Sequence, residues 1–236
     1  MDVRELAVDA ASAATGRHHR PDEAVGRTGG PAGNARLTAW TGLVLLILFL
    51  AELVTLLDVR GLLSWHVVIG TLLIPPALLK TGSTGWRMAG YYLGRRPYRR
   101  SGPPPMLLRL LGPIVVVSTL AVLGTGVAVV LVGPATARTG LIDVAGQSIG
   151  LLMLHKASFV IWAGATGLHV LGRAVPALRL IRPGAGSAPV AGRALRVTAI
   201  ALALAVAAGA AMLVVGQDGS WRDQPRHAHR ISGPAR

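Results

Sequence analysis

Cysteine is absent from the 236 residues. This excludes disulfides, covalently attached haem and cysteine-ligated iron–sulfur clusters within the chain. Acidic residues are scarce, ten against 24 Lys and Arg, and only two of the 24 are lysines, Lys80 and Lys156. The net charge of +14 raises nucleic acid as a partner. Aromatic residues make up only 4% of the chain, however, and no basic helix or aromatic ladder accompanies the arginines, so nucleic acid is not expected. There is no nucleophile–base pair, glycine-rich phosphate loop or metal-hydrolase spacing, so no catalytic residue is assigned and hydrolase or kinase chemistry is not expected.

What the chain does have is apolar length. Half of it (52%) is apolar and the mean hydropathy is +0.54. Runs of about twenty uncharged residues are each long enough to cross ~30 Å of hydrocarbon as a helix. The runs are continuous rather than alternating, which excludes a transmembrane β-barrel. The expected fold is all-α and integral to the membrane, with five transmembrane helices near 37–57, 61–79, 110–132, 149–172 and 197–216. Pro75-Pro76 should kink the second. The first four are expected to form an antiparallel bundle. Residues 1–36 carry five arginines and five acids and read as a disordered cytoplasmic tail, with 36 residues ahead of the first apolar run and hence no secretory signal. Residues 174–216 read as a basic loop and fifth helix, and 217–236 as a disordered tail. His18, His19, His227 and His229 fall in these tails and read as solvated.

The loops set an orientation. Residues 80–105 carry six cations and 173–196 carry five, and neither segment has an acid. The positive-inside rule therefore predicts that both loops face the cytoplasm, with the N-terminus inside and the C-terminus outside a cytoplasmic (inner) membrane. Trp86, Tyr91, Tyr92 and Tyr98 stand among the arginines of the first of these loops. Such a mixture suits a segment along the headgroups or a docking site for a soluble partner.

Ionisable residues inside a membrane are costly, and each is a functional candidate. Here they are Glu52, His66, His155, Lys156 and His169, with Lys80 at a helix end. His155 and His169 are fourteen residues apart. On a helix that is a rise of about 21 Å and a return to within about 40° of the same face. Lys80 lies fourteen residues after His66. The second and fourth helices run parallel, so His66 matches His155 in depth near the outer surface, and Lys80 matches His169 near the inner one. Two imidazoles facing each other across a bundle suit the two axial positions of a haem iron. Gly70, Gly124, Gly126, Gly164 and Gly167 are small enough to let a flat macrocycle approach the backbone. The open alternatives are histidines that bond neighbouring helices, a proton path, or a non-haem metal.

The pattern of His66 on helix two, with His155 and His169 in LLMLHKASFVIWAGATGLHVLG on helix four, resembles the membrane-embedded di-haem cytochromes b. In that family two parallel helices of a four-helix bundle each carry two histidines about fourteen apart. The resemblance covers residues 37–173 and departs from the family at Lys80, which stands at the fourth histidine position. It implies haem b between His66 and His155, and an electron-transfer role between a quinol or redox partner and another redox subunit. If the chain is part of an enzyme, it is then the electron-transfer subunit of a membrane oxidoreductase. A second haem held by Lys80 and His169 requires a neutral amine, which costs about 4.6 kcal/mol to generate at pH 7 from a reference pKa near 10.4. The alternative is that Lys80 ends its helix at the headgroups.

Glu52 and Lys156 lie at similar depth, so an ion pair between them is one expectation, and Lys156 could equally bind a haem propionate. The other is a protonated Glu52, with Lys156 reaching outward. If a quinol binds near the outer face, Glu52 is the candidate proton acceptor. Ala205 and Gly209 give helix five a small-xxx-small face for docking on its own bundle. The competing functions are a proton- or ion-coupled membrane protein, using Glu52, His66, His155 and Lys156 as a relay, and a cofactor-free structural or assembly protein.

Overall fold

The computed structural model describes residues 3–15, 22–102, 106–182, 189–215 and Trp221. The chain is all-helical apart from one hairpin. In order it runs α1 (Val3–Ala14), α2 (Gly30–Thr55), α3 (Leu63–Tyr92), α4 (Arg96–Arg100), α5 (Met106–Arg138), β1 (Gly140–Val144), β2 (Gln147–Gly150), α6 (Leu151–Ile181) and α7 (Arg193–Val214). Five of these helices, α2, α3, α5, α6 and α7, are long and apolar enough to cross a membrane. The chain thus has the make-up of a multi-pass membrane protein.

The distribution of side chains supports this. Leu50, Val54, Leu171 and Met212 lie off the cavity and are more than half exposed. Thr41, Thr55, Thr71, Ser83, Ser118 and Glu52 are buried. Outward leucine and valine are stable beside lipid, where small and hydroxyl-bearing residues are the ones that join helices. One polar strip shows this directly. The Asn34 side chain donates to the Ser83 carbonyl at 2.9 Å, and the Thr38 and Ser83 hydroxyls bond each other at 2.9 Å, tying α2 to α3.

Local chemistry sets the boundaries. α2 starts after Gly29, which is left-handed at φ 81°, and has Pro31 in its first turn, where a missing N–H removes nothing. α5 is interrupted at Gly133, with φ 76° and ψ 172°, just before Pro134. The hairpin turns at Ala145-Gly146, both at positive φ, the backbone required by a two-residue turn between twisted strands.

Helices α2 and α3 pack along each other, as do α5 and α6. Contacts of α2 with α6 and of α3 with α5 complete a ring, with α3 and α6 facing each other across it. α7 lies along α3, outside the ring.

Several sequence-based boundaries need correction. The second apolar helix does not stop at residue 79. It runs through Lys80 to Tyr92, because 80–92 contains no helix breaker stronger than glycine. Lys80 is therefore mid-helix rather than at a helix end. Residues 3–14 of the expected disordered tail form α1, which packs on α6 and α5. The hairpin between α5 and α6 was not anticipated. Ala205 and Gly209 are exposed, and the buried face of α7 is Ala207 and Ala211 instead. Trp86 donates to the Tyr98 hydroxyl at 3.1 Å, and Arg95 stacks 4.5 Å over the Trp86 ring, so part of the aromatic–arginine segment folds on itself. His18, His19, His227, His229 and all of the C-terminal tail 217–236 except Trp221 lie outside the described residues.

Candidate functional site

A cavity of about 2270 Å³ runs through the ring. That is more than twice the ~1,000 Å³ at the upper end of ordinary small-molecule pockets. His66, His155, Lys80 and His169 all line it, as do Glu52 and Lys156. The four positions that sequence spacing put on shared faces do share one space.

At one end, His66 from the first turn of α3 faces His155 from the second turn of α6. Their ring centroids are 6.3 Å apart and the ring planes cross at 77°. The Nδ1 atom of each ring is engaged. His66 Nδ1 lies 2.8 Å from Glu52 Oε1 and 3.0 Å from the Thr55 hydroxyl. That hydroxyl already donates to the Glu52 carbonyl at 2.6 Å, so with Glu52 ionised the Nδ1 proton belongs to His66. His155 Nδ1 donates to the Val122 carbonyl at 3.1 Å and lies 3.2 Å from the Thr125 hydroxyl, whose own proton goes to the Ala121 carbonyl at 2.6 Å. In both rings this assigns the proton to Nδ1 and leaves the Nε2 lone pair free.

Two imidazoles on opposite sides of one metal, each bound through Nε2, would have centroids about 6.4 Å apart, from two metal–nitrogen bonds of about 2.0–2.1 Å and about 1.15 Å from each nitrogen to its ring centre. The observed 6.3 Å fits that arrangement. The backbone beside the pair is bare. A Cβ on Gly126 would stand 3.0 Å from His155 Cε1, and one on Gly70 would stand 3.5 Å from Glu52 Oε1. Among the described residues no group of three or more His, Cys, Asp or Glu converges. A porphyrin supplies four nitrogens of its own and needs only the two axial donors.

The far end differs. Lys80 Nζ donates to the Thr38 carbonyl on α2 at 3.0 Å, in space left by Gly42, where a Cβ would stand 2.8 Å from Nζ. His169 Nδ1 is buried without a hydrogen-bond partner, as is the Thr166 hydroxyl one turn earlier. The two residues line the same cavity, but the Lys80 amine is bonded to α2.

Two further expectations meet the geometry. Glu52 does not pair with Lys156. It is 8% exposed and bonded to His66, whereas Lys156 is exposed. The short turn Leu56–Asp58 folds the end of α2 back beside the start of α3, and this brings Glu52 to His66. Gly124, Gly164 and Gly167 have open space around them.

Sequence reasoning missed three features. Gly112 lines the cavity fourteen residues before Gly126, the same spacing as His155 and His169. Gly42 makes room for Lys80. Trp162 stands midway between His155 and His169. Its indole N–H donates to the Thr119 hydroxyl at 2.9 Å, and the two phenylalanines of the chain, Phe49 and Phe159, lie 4.7 and 6.2 Å from it. The fourteen-residue glycine repeat and the seven-residue His–Trp–His interval were visible signals.

Comparison of the chain with protein-family models, with curated proteins and with solved structures returns no match.

Proposed function

We propose that this chain is a b-type cytochrome subunit of the cytoplasmic membrane, passing electrons between a quinol or other redox partner and a further redox subunit. The observation that carries the reading is the His66–His155 pair, with centroids 6.3 Å apart and both Nδ1 atoms committed to protein partners. In this reading α2, α3, α5 and α6 form the four-helix haem bundle, and His66 and His155 would hold one haem b. Bound there, its iron would take up and release single electrons.

The protein's part is orientation. Glu52 and Thr55 hold the His66 ring, while the Val122 carbonyl and Thr125 hold that of His155. Such partners fix the tautomer and the ring plane of a ligating histidine. Gly126 keeps the α5 backbone clear. Leu45 and Leu46 of α2 and Val122 of α5 give the cavity apolar walls.

A second haem between Lys80 and His169 is not part of the reading, because Lys80 bonds the Thr38 carbonyl and offers no imidazole to face His169. The competing proton-coupled reading draws on the same Glu52–His66 contact. The visible spectrum separates the two. Protein purified from haem-replete cells should show low-spin bis-imidazole absorbance, and both His66→Ala and His155→Ala should abolish it. Colourless protein, or two variants with full haem content and an unchanged spectrum, overturns the proposal.

A further inference from the structure

The two facing histidines are not equivalent. His155 Nδ1 meets only neutral partners, the Val122 carbonyl and the Thr125 hydroxyl. His66 Nδ1 meets a carboxylate oxygen at 2.8 Å. That carboxylate is buried, and among the described residues its second oxygen Oε2 has no hydrogen-bond partner and no lysine or arginine pairs with it. Its strongest partner is the imidazole. We propose that Glu52 is a positioning residue that makes His66 the more electron-rich of two unequal axial ligands and thereby lowers the reduction potential of the haem between them. The inference rests on the cytochrome reading above.

The physical argument has three steps. A carboxylate accepting the Nδ1 proton raises the basicity of the nitrogen on the other side of the ring. A more basic axial ligand favours the oxidised iron, which carries one more positive charge than the reduced iron. When Glu52 is ionised, its negative charge a few ångströms away acts in the same direction, and low local dielectric strengthens it. Gly70 lies beside the carboxylate, and a Cβ there would stand in ordinary van der Waals contact, 3.5 Å from Glu52 Oε1.

The test is the midpoint potential of the purified holoprotein beside that of Glu52→Gln. Glutamine keeps the shape, and its carbonyl can still accept from Nδ1, but the charge is gone. The variant should keep the wild-type haem-to-protein ratio and bis-imidazole absorbance. Its midpoint should move to a higher potential, and the g values of the oxidised haem should shift in the electron paramagnetic resonance spectrum. Thr125→Val, altered on the neutral side, should move the midpoint less. A haem-loaded Glu52→Gln with unchanged midpoint and unchanged g values overturns this inference and leaves the cytochrome reading standing. Wild-type protein that binds no haem overturns both. If Glu52→Gln does not assemble, Glu52→Asp carries the test. Its carboxylate is one methylene further from His66, so the midpoint should rise part of the way. No rise there overturns the inference equally.

Discussion

Lysine at position 80 shows how one side chain separates two sites that are otherwise built alike. The position is fourteen residues beyond His66 on α3, just as His169 is fourteen beyond His155 on α6. The length and single terminal nitrogen of lysine let it reach across to the Thr38 carbonyl, where Gly42 leaves room. An imidazole at the same place is shorter and cannot make that bond, but it offers a ring nitrogen to the cavity. We therefore expect a haem-to-protein ratio near one in the natural sequence and a ratio approaching two in Lys80→His, with His169 as the opposite ligand. The ratio is read from haem absorbance against protein mass. A natural ratio of two, reduced to one by Lys80→Arg, would instead make Lys80 a ligand. At this scale the sequence left open whether Glu52 pairs with Lys156 or Lys156 reaches outward, and the exposed Lys156 agrees with the second. The turn after α2 decides that Glu52 meets His66.

Helix α5 carries no residue that the sequence singled out as a ligand, yet it shapes the cavity as much as the helices that do. Gly126 lies against His155, with only 3.0 Å to spare for a Cβ, while Gly124, two residues earlier, is exposed with nothing within 4 Å. The two positions form a matched pair. Gly126→Val should push the His155 ring out of line and remove most of the bis-imidazole absorbance. Gly124→Val should keep it, and both should leave the helical circular dichroism unchanged. Equal loss in both variants would mean that helix propensity rather than contact with His155 is responsible. α3 teaches a different lesson about elements. Pro75-Pro76 read as a kink and the cluster of cations after residue 79 as a loop, but the helix continues to Tyr92. α2 holds it through the Asn34, Thr38 and Ser83 contacts, which no local pattern encodes.

Across the whole molecule, eleven of the 24 cations fall in 80–105 and 173–196 with no acid among them. Extending α3 to Tyr92 and α6 to Ile181 moves some of these cations onto helix ends without changing the bias. Reporter fusions within Arg95–Gly102 and near residue 190 should therefore report a cytoplasmic location, and fusions in the Gly140–Gly150 hairpin an external one. The opposite result reverses the orientation but leaves the His66–His155 contact intact, since that depends only on α3 and α6 running parallel. The sequence by itself determined five apolar helices and the faces on which the ionisable residues lie. Both follow from one-dimensional quantities: the length of apolar runs, and a rotation of about 100° per residue. Which nitrogen of each histidine is engaged, what Glu52 bonds, where Lys80 reaches and which helix α7 joins were decided only by tertiary structure. Those outcomes depend on where separate helices stop, turn and approach, and contacts fourteen to several tens of residues apart are set by packing rather than by periodicity.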